Sequence, residues 1–312
     1  MTWVCRKVGS NVTGARYGVE MHRVLKRAVT RMLPEPVVDA IVILKGYKRQ
    51  FGVLPNLVRP RTLNEKIVRR MLFDRRPILT QLADKYAVRE YVKTKVGAHV
   101  LPRVYWVTKA PDDIPFGDLP SQFVVKPTHG SGWVHIVYDK ALLDQRELID
   151  TCRRWLSQNY YYCDRERVYK NIEPRILVEE LINDGTGPAP IRYKVLVFGG
   201  RAHVIMVISG TPDDLRCGLY GRSWEDTGVT YAGTKRTDEP LPRPPHLTEM
   251  LRYAEILGGG LDFVRVDLYD TPDKVYFGEI TTTPLGGRMP FDSREFDRQL
   301  GDLWDTRRNP LS

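Results

Sequence analysis

Three consecutive stretches decide how this chain reads: Phe263-Val264-Arg265-Val266-Asp267-Leu268-Tyr269, the turn-forming Asp270-Thr271-Pro272-Asp273-Lys274, and Val275-Tyr276-Phe277-Gly278-Glu279-Ile280-Thr281. Side chains alternate faces along a strand, so Arg265 and Asp267 share one face, as do Phe277, Glu279 and Thr281. Turn residues between the two runs make them an antiparallel pair centred on residue 273, which sets Asp267 opposite Glu279 and Arg265 opposite Thr281. Directly opposed side chains lie about 5 Å apart, and facing like charges destabilise a sheet. Three arrangements relieve that conflict: a divalent cation held by both carboxylates, neutralisation by Arg265, or a bulge that slips the register. Oxygen-only ligands including one or two carboxylates suit Mg²⁺. The polar, glycine-containing Thr281-Thr282-Thr283-Pro284-Leu285-Gly286-Gly287 follows directly, as expected where backbone approaches a ligand closely.

Working outward, Lys194–Phe198 and Ala202–Ile208 form a second hairpin around Gly199-Gly200, and a helix over Leu247–Leu257 precedes the final strand pair. Short strands are expected at Val104–Val107, Phe123–Lys126 and Ile176–Ile182. Helical periodicity runs from Leu63 to Val96 and again through Leu148, Ile149, Cys152, Trp155 and Leu156. A further helix is expected over Gly18–Leu33, and Pro36 opens another at a position that tolerates proline. The class is mixed, α+β or α/β, with antiparallel hairpins prominent.

The 312 residues are 42% hydrophobic and 28% charged, a globular composition with room for two domains. The net charge of +10 is uneven: residues 1–50 hold ten Lys/Arg against three Asp/Glu, and the rest 38 against 35. A basic N-terminal face is either solvated or meets a membrane surface or an acidic polymer. The near-balanced body, without a recognition motif, argues against nucleic acid. The apolar run Val37–Leu44 is too short to span a bilayer. Cys5, Cys152, Cys163 and Cys217 form no C-x-x-C pair, which argues against a zinc ribbon or a disulfide framework.

Gln122-Phe-Val-Val-Lys126-Pro-Thr-His129-Gly130-Ser131-Gly132 ends a strand on a lysine and continues into a flexible loop. The β-prone Trp133–Tyr138 follows, so the unit is strand–loop–strand and neither a P-loop nor a dinucleotide fingerprint, both of which open a helix. Such a loop is either a plain hairpin turn or a flap whose N–H groups cover phosphates beside the point charge of Lys126. His129 is either a phosphate contact or an ordinary loop residue, and His135 is structural.

The ordered set Asp84-Lys85, Lys126-Pro-Thr-His-Gly-Ser-Gly132, Ile176-Leu-Val-Glu179-Glu180-Leu181, Arg265-Val-Asp267 and Glu279-Ile-Thr281 resembles the ATP-grasp superfamily. Leu63-Asn64-Glu65-Lys66, Ala83–Tyr91, His129–Gly132 and Tyr276–Thr281 are similar to its TupA-like family, associated with bacterial cell-envelope polymers. The resemblance runs from about residue 55 onward and leaves residues 1–50 unmatched. It implies an α+β ATP-grasp fold, with two α+β subdomains clamping ATP and a helical N-terminal region. The expected division is a basic helical extension (1–50), an N-terminal region (51–120), a small subdomain (121–182) and a C-terminal subdomain carrying the metal site (183–312).

In that fold Lys85 and Lys126 contact phosphates, and His129, Gly130, Ser131 and Gly132 cover them. The backbone at Glu180 and Leu181 reads the adenine edge, with Glu179 or Glu180 on its amino group, and Lys194 belongs with these nucleotide contacts. Asp267 and Glu279 hold Mg²⁺, and Arg265, with Lys126, serves the transferred phosphoryl group. Thr281 stands where most of the superfamily has asparagine, and its hydroxyl is a poorer metal ligand. The implied reaction is ATP-dependent joining of a carboxylate to an amine through an acyl phosphate, on a small molecule or a polymer-linked acid. A phosphotransferase or polysaccharide-modifying transferase using the same ATP site is the alternative. The implied location is the cytoplasm, free or peripheral to the inner face of the membrane. Residues 209–245, with Arg216, Arg222 and Arg236, are expected to form either an acceptor-clamping segment or a solvated surface loop.

Overall fold

A computed structural model describes residues 33–306 apart from 188, 212–213, 232–233 and 236–240. The expected helix over Gly18–Leu33, apart from Leu33 itself, and the site expected at Arg236 thus lie outside the described residues. Four helices come first: α1 (Glu35–Phe51), α2 (Leu63–Phe73), α3 (Pro77–Ala83) and α4 (Ala87–Lys95). Pro36 sits in the first turn of α1, and Gly52 closes that helix in the left-handed region at φ 75°. Helix α2 starts on a capping box, in which Thr62 accepts from Glu65 N–H while the Glu65 carboxylate accepts from Thr62 N–H. The helical run expected over 63–96 is therefore three helices, broken where Asp74 and Asp84 take extended backbone.

The first sheet is four-stranded, in the order β1-β4-β2-β3, with β1 Val104–Thr108, β2 Phe123–Pro127, β3 His135–Val137 and β4 Ile176–Glu179. Strand β4 is shorter than expected and ends on the acidic Glu179. Helix α5 (Gln145–Leu156) buries Leu148, Cys152 and Trp155 against Phe123, Val125, Ile176 and Val178, the inner face of this sheet. The short helix α6 (Tyr161–Asp164) lies between α5 and β4.

The second sheet has five antiparallel strands in the order β7-β6-β5-β8-β9. They are β5 (Arg192–Phe198), β6 (Arg201–Ser209), β7 (Arg216–Gly221), β8 (Phe263–Asp270) and β9 (Val275–Thr281). Gly199 and Gly200, both at positive φ, close the β5–β6 hairpin. β7 replaces part of the loop expected over 209–245. One face of the sheet packs Val195, Val197, Ile205, Val264 and Val266 against α7 (Leu247–Gly258) and α4. The other packs Leu196, Phe198, Met206 and Phe263 against α1, α2 and the last helix, α8 (Arg294–Leu303). Cover on both faces explains why Val195–Phe198 and Val204–Ile208 are uninterruptedly apolar. Each such side chain contributes about 1.5–3 kcal/mol by leaving water.

The register of β8 and β9 matches the expectation at its functional end, with Asp267 paired to Glu279 and Arg265 to Thr281. Beyond Asp267 a bulge shifts it by one residue, so Leu268 pairs with Phe277. This corrects the expectation that Phe277 shares a face with Glu279: Phe277 turns to the opposite side and joins the core with Val266 and Leu268. Gly278 is the extra residue, and a Cβ there would stand 3.0 Å from both the Asp267 carbonyl oxygen and the Tyr269 ring.

Candidate active site

On the face of the second sheet that carries Phe263, β8 and β9 change from apolar to charged beyond Phe263, and a row of charges begins. Arg265 Nε donates to Asp267 Oδ1 at 2.6 Å, and its Nη2 reaches Asp267 Oδ2 at 2.8 Å, Glu279 Oε1 at 2.8 Å and Thr281 Oγ1 at 3.0 Å. Lys194, across on β5, donates to Asp267 Oδ2 at 2.5 Å. Asp267 and Arg265 are buried, whereas the Glu279 side chain is 38% exposed and opens outward. Of the three ways to reconcile the facing acids, neutralisation by Arg265 is realised, helped by Lys194. The bulge lies one step beyond the pair and leaves it facing.

The first sheet contributes the opposing charges. Lys126 on β2 is ion-paired with Glu179 at the end of the neighbouring strand, and Arg89 of α4 approaches the other Glu179 oxygen at 3.9 Å. Lys85, between α3 and α4, donates its side chain to the Gly130 carbonyl and its backbone N–H to the Thr128 carbonyl at 3.2 Å. The two sheets meet where Tyr276 on β9 donates to Glu180 Oε1 at 3.1 Å.

Electrostatics joins the two halves. Burial alone would push the Glu279 carboxyl up, yet Arg265, Lys194, Lys85 and Lys126 hold it at about 2. Burial pulls the Lys85 ammonium down to about 8, with Glu279 opposing and Lys126 assisting. Burial, followed by Arg265, also lowers Lys194, against the attraction of Asp267. Charges from α3–α4, β2, β5, β8 and β9 thus sense one another across one site.

Two sets of expected contact residues already have partners within the protein. His129 is buried, and its Nε2 faces the carbonyls of Trp155 at 3.0 Å, in the last turn of α5, and Gln158 at 3.1 Å, just past it. Its Nε2 therefore anchors the loop inward, against the end of α5. The carboxylates of Glu179 and Glu180 are also committed, the first to Lys126 and Arg89, the second to Arg103 N–H at 2.9 Å and to Tyr276. A ligand edge beside them meets backbone, and there Glu180 N–H already donates to the Arg103 carbonyl at 2.8 Å while Leu181 is half-buried.

The rest of the loop keeps its glycines for steric reasons. Gly132 sits at φ 71°, and a Cβ on Gly130 would stand 2.6 Å from the Trp133 ring. Ser131 is hydrogen-bonded to Tyr160.

Other positioning groups escaped the sequence reading. Arg70 of α2 is buried, stacks 4.2 Å from the Trp304 ring, and donates to the carbonyls of Phe263 at 2.8 Å and Thr282 at 2.9 Å. It thereby ties together the start of β8 and the residue after β9. Its place three residues after Ile67 and beside Met71, on the apolar stripe of α2, was the available signal. Asn64, recognised only as part of a motif, binds Met289 N–H at 2.7 Å, the Met289 carbonyl at 3.0 Å and Asp297 Oδ2 at 2.9 Å. Arg216 and Arg222, expected either to clamp an acceptor or to be solvated, are paired with Asp214 and Glu255.

The donor set fits a small hard cation: two opposed carboxylates and a hydroxyl, all oxygen, on one sheet face. Among the described residues no third His, Cys, Asp or Glu joins them, so a cation here would complete its shell with water or phosphate oxygens.

A family model for TupA-like ATP-grasp proteins matches residues 65–305, from α2 through α8. The chain belongs to the TupA-like ATP-grasp family. Its paired sheets are the two α+β subdomains of the ATP-grasp fold. Among solved structures, a D-alanine–D-alanine ligase from Bacillus anthracis complexed with ATP is 19% identical, with a TM-score of 0.42 over 66% of this chain and 57% of that one. The D-alanine–D-alanine ligase from Helicobacter pylori is 16% identical, with a TM-score of 0.42 over 75% and 64%. The ATP-grasp ligase PsnB complexed with a minimal precursor is 15% identical, with a TM-score of 0.38 over 73% and 62%. The TupA-like chain thus spans less than two thirds of each of these proteins. No curated protein matches it.

Proposed function

We propose that this TupA-like ATP-grasp protein is an ATP-dependent carboxylate–amine ligase. A substrate carboxylate attacks the γ-phosphorus of ATP to give an acyl phosphate and ADP, and an amine then displaces phosphate to leave an amide. The observation that carries this reading is the contact of Lys194 and Arg265 with the Asp267–Glu279 pair, with Lys85 and Lys126 within electrostatic reach of Glu279, which together hold its carboxyl at about 2. Phosphoryl transfer asks a protein for alignment and charge neutralisation rather than a nucleophile, and this site offers fixed cations with fixed anions between them.

Asp267, Glu279 and Thr281 are the residues that would hold Mg²⁺, which when bound neutralises phosphate charge. Lys85 and Lys126 bind phosphate oxygens, the backbone of residues 129–132 covers them, and Arg265 steadies the transferring group. The Glu180–Leu181 backbone receives the adenine. The division at residues 50, 120 and 182 belongs to the same proposal, with β1 joining the small sheet from the segment before 121. The substrates are a small or polymer-linked carboxylate, such as a uronic acid or a peptide-like metabolite, and an amine. ATP dependence calls for the cytoplasm, and no described helix is long and apolar enough to cross a membrane.

The test is phosphate release from ATP with panels of carboxylates and amines, alone and combined. Ligation predicts ADP and free phosphate in equal amounts only when both partners are present. ADP without free phosphate, with an alcohol or sugar as sole acceptor, would make the protein a phosphotransferase instead.

A further inference from the structure

Beside the charged row lies a buried carboxyl that no part of the scheme above uses. Glu166, in the segment between α6 and β4, is 7% exposed. Its hydrogen bond among the described residues comes from Thr283 Oγ1, at 2.5 Å to Oε2. A buried carboxylate ordinarily has a cation in contact with it. Here the nearby Arg288 is taken by Asp164, at 3.1 Å, and Arg265 by Asp267 and Glu279.

Thr283 stands two residues after Thr281, whose hydroxyl is on Arg265, so their Cα atoms are at most about 7 Å apart. Glu166 therefore flanks the reacting end of the last hairpin, on the segment that leaves it. Tyr169, packed 4.9 Å from Tyr160, is within electrostatic reach of both Glu166 and Glu279. The groups facing Glu166 are Asp164, Arg288, Arg265, Tyr160 and Tyr169. The loop beside it is held in an unusual shape: Leu285, Gly286 and Gly287 are consecutive left-handed residues, and the non-glycine Leu285, at φ 47°, is 51% exposed.

We propose that Glu166 is the residue that receives the attacking amine, as a primary ammonium, and takes its proton. The inference rests on the ligase reading. The ammonium donates a proton to a Glu166 oxygen, and the freed nitrogen pair forms a bond to the acyl carbon. The carbon–oxygen bond to phosphate breaks, with its electrons leaving on phosphate. The second nitrogen proton goes to the departing phosphate, and Glu166 returns the first to solvent. Burial, with Asp164 adding to it, raises the Glu166 carboxyl to about 7 against Thr283, Arg288 and Arg265, a value suited to exchanging a proton at neutral pH.

Hydroxylamine separates this role from a structural one, because it is already neutral near pH 7 and needs no base. Wild type and Glu166→Gln, which keeps an acceptor oxygen for Thr283, are given ATP, Mg²⁺ and D-glucuronate, L-glutamate or D-alanine, with either hydroxylamine or a panel of amino acids as the amine. The expected result is hydroxamate formation within two-fold of wild type and a loss of roughly 100-fold or more in amide formation, partly relieved as the pH rises. Glu166→Asp, which keeps the charge, is expected to recover much of the amide rate. Equal loss with both nucleophiles, no loss with either, or a Glu166→Asp defect as deep as that of Glu166→Gln overturns the assignment while leaving the ligase reading intact. A wild type that forms neither hydroxamate nor amide overturns the ligase reading, and this inference with it.

Discussion

Asp267 and Glu279 are direct cross-strand partners, and one nitrogen of Arg265 lies 2.8 Å from an oxygen of each. Two anions are thus held face to face by a single buried cation, with Lys194 in support. Removing that cation leaves Asp267 buried beside a like charge. Arg265→Met is expected to cost about 3–5 kcal/mol, measured by urea denaturation, and to abolish turnover. Arg265→Met/Asp267→Asn should regain part of the stability and none of the activity.

Lys126 has Glu179 as its partner, and Glu179 keeps Arg89 when Lys126 is removed. Lys126→Ala should therefore fold normally, with a melting temperature within a few degrees of wild type, yet lose ATP turnover. Near-normal ADP release by this variant would remove Lys126 from the phosphate site.

The folded-state value of Glu279, about 2, lies below its ordinary 4.5. A lowered carboxyl stabilises the fold above its unfolded value, and that contribution disappears as pH falls from about 4.5 through 2. Unfolding midpoints at pH 6 and pH 3 should differ more for wild type than for Glu279→Gln. The opening of Glu279 to solvent keeps the difference modest.

Lys85 behaves oppositely. Its value near 8, below the ordinary 10.5, means that its charged form opposes folding, so this contribution to stability improves as pH rises from about 8 toward 10.5. Its neutral amine should acylate ahead of exposed lysines at pH 8, as mapped by mass spectrometry, and ATP should protect it. Lys85 labelling no faster than Lys93 would contradict this.

Asn64 satisfies both backbone groups of Met289 and one oxygen of Asp297 from a fully buried position. Asn64→Ala should cost about 1–3 kcal/mol by leaving a buried polar group unmet. It should lower the urea midpoint without changing the metal dependence of any residual activity.

How far the molecule was legible in its sequence follows from where each signal resides. The Asp267–Glu279 register was readable because it depends on turn formers and a two-residue period, both local. The bulge was not placed, although Gly278 inside a strand pointed to one, because the face Phe277 takes is decided by the core beneath it. The inward anchoring of His129 is not readable from the sequence for the same reason. Its partners are carbonyls near the end of α5, more than twenty residues away, and no neighbouring residue announces them. Lys194 opposite Asp267 was within reach, since both lie on strands that the sequence marks. Glu166 lay in a stretch without periodicity, and its importance emerges only from Thr283.

The one-residue bulge at Gly278 has a consequence for how relatives of this chain can vary. Phe277 and Glu279 are two positions apart, so only the extra residue lets one face the core and the other the charged row. Loss of Gly278 would keep those faces and straighten the strand, whereas a one-residue change between Glu279 and Thr281 would turn Thr281 away from Arg265. A homologue with a one-residue gap at 278 is therefore compatible with the same charged row, while a one-residue gap inside 279–281 is expected to break that row and keep the fold.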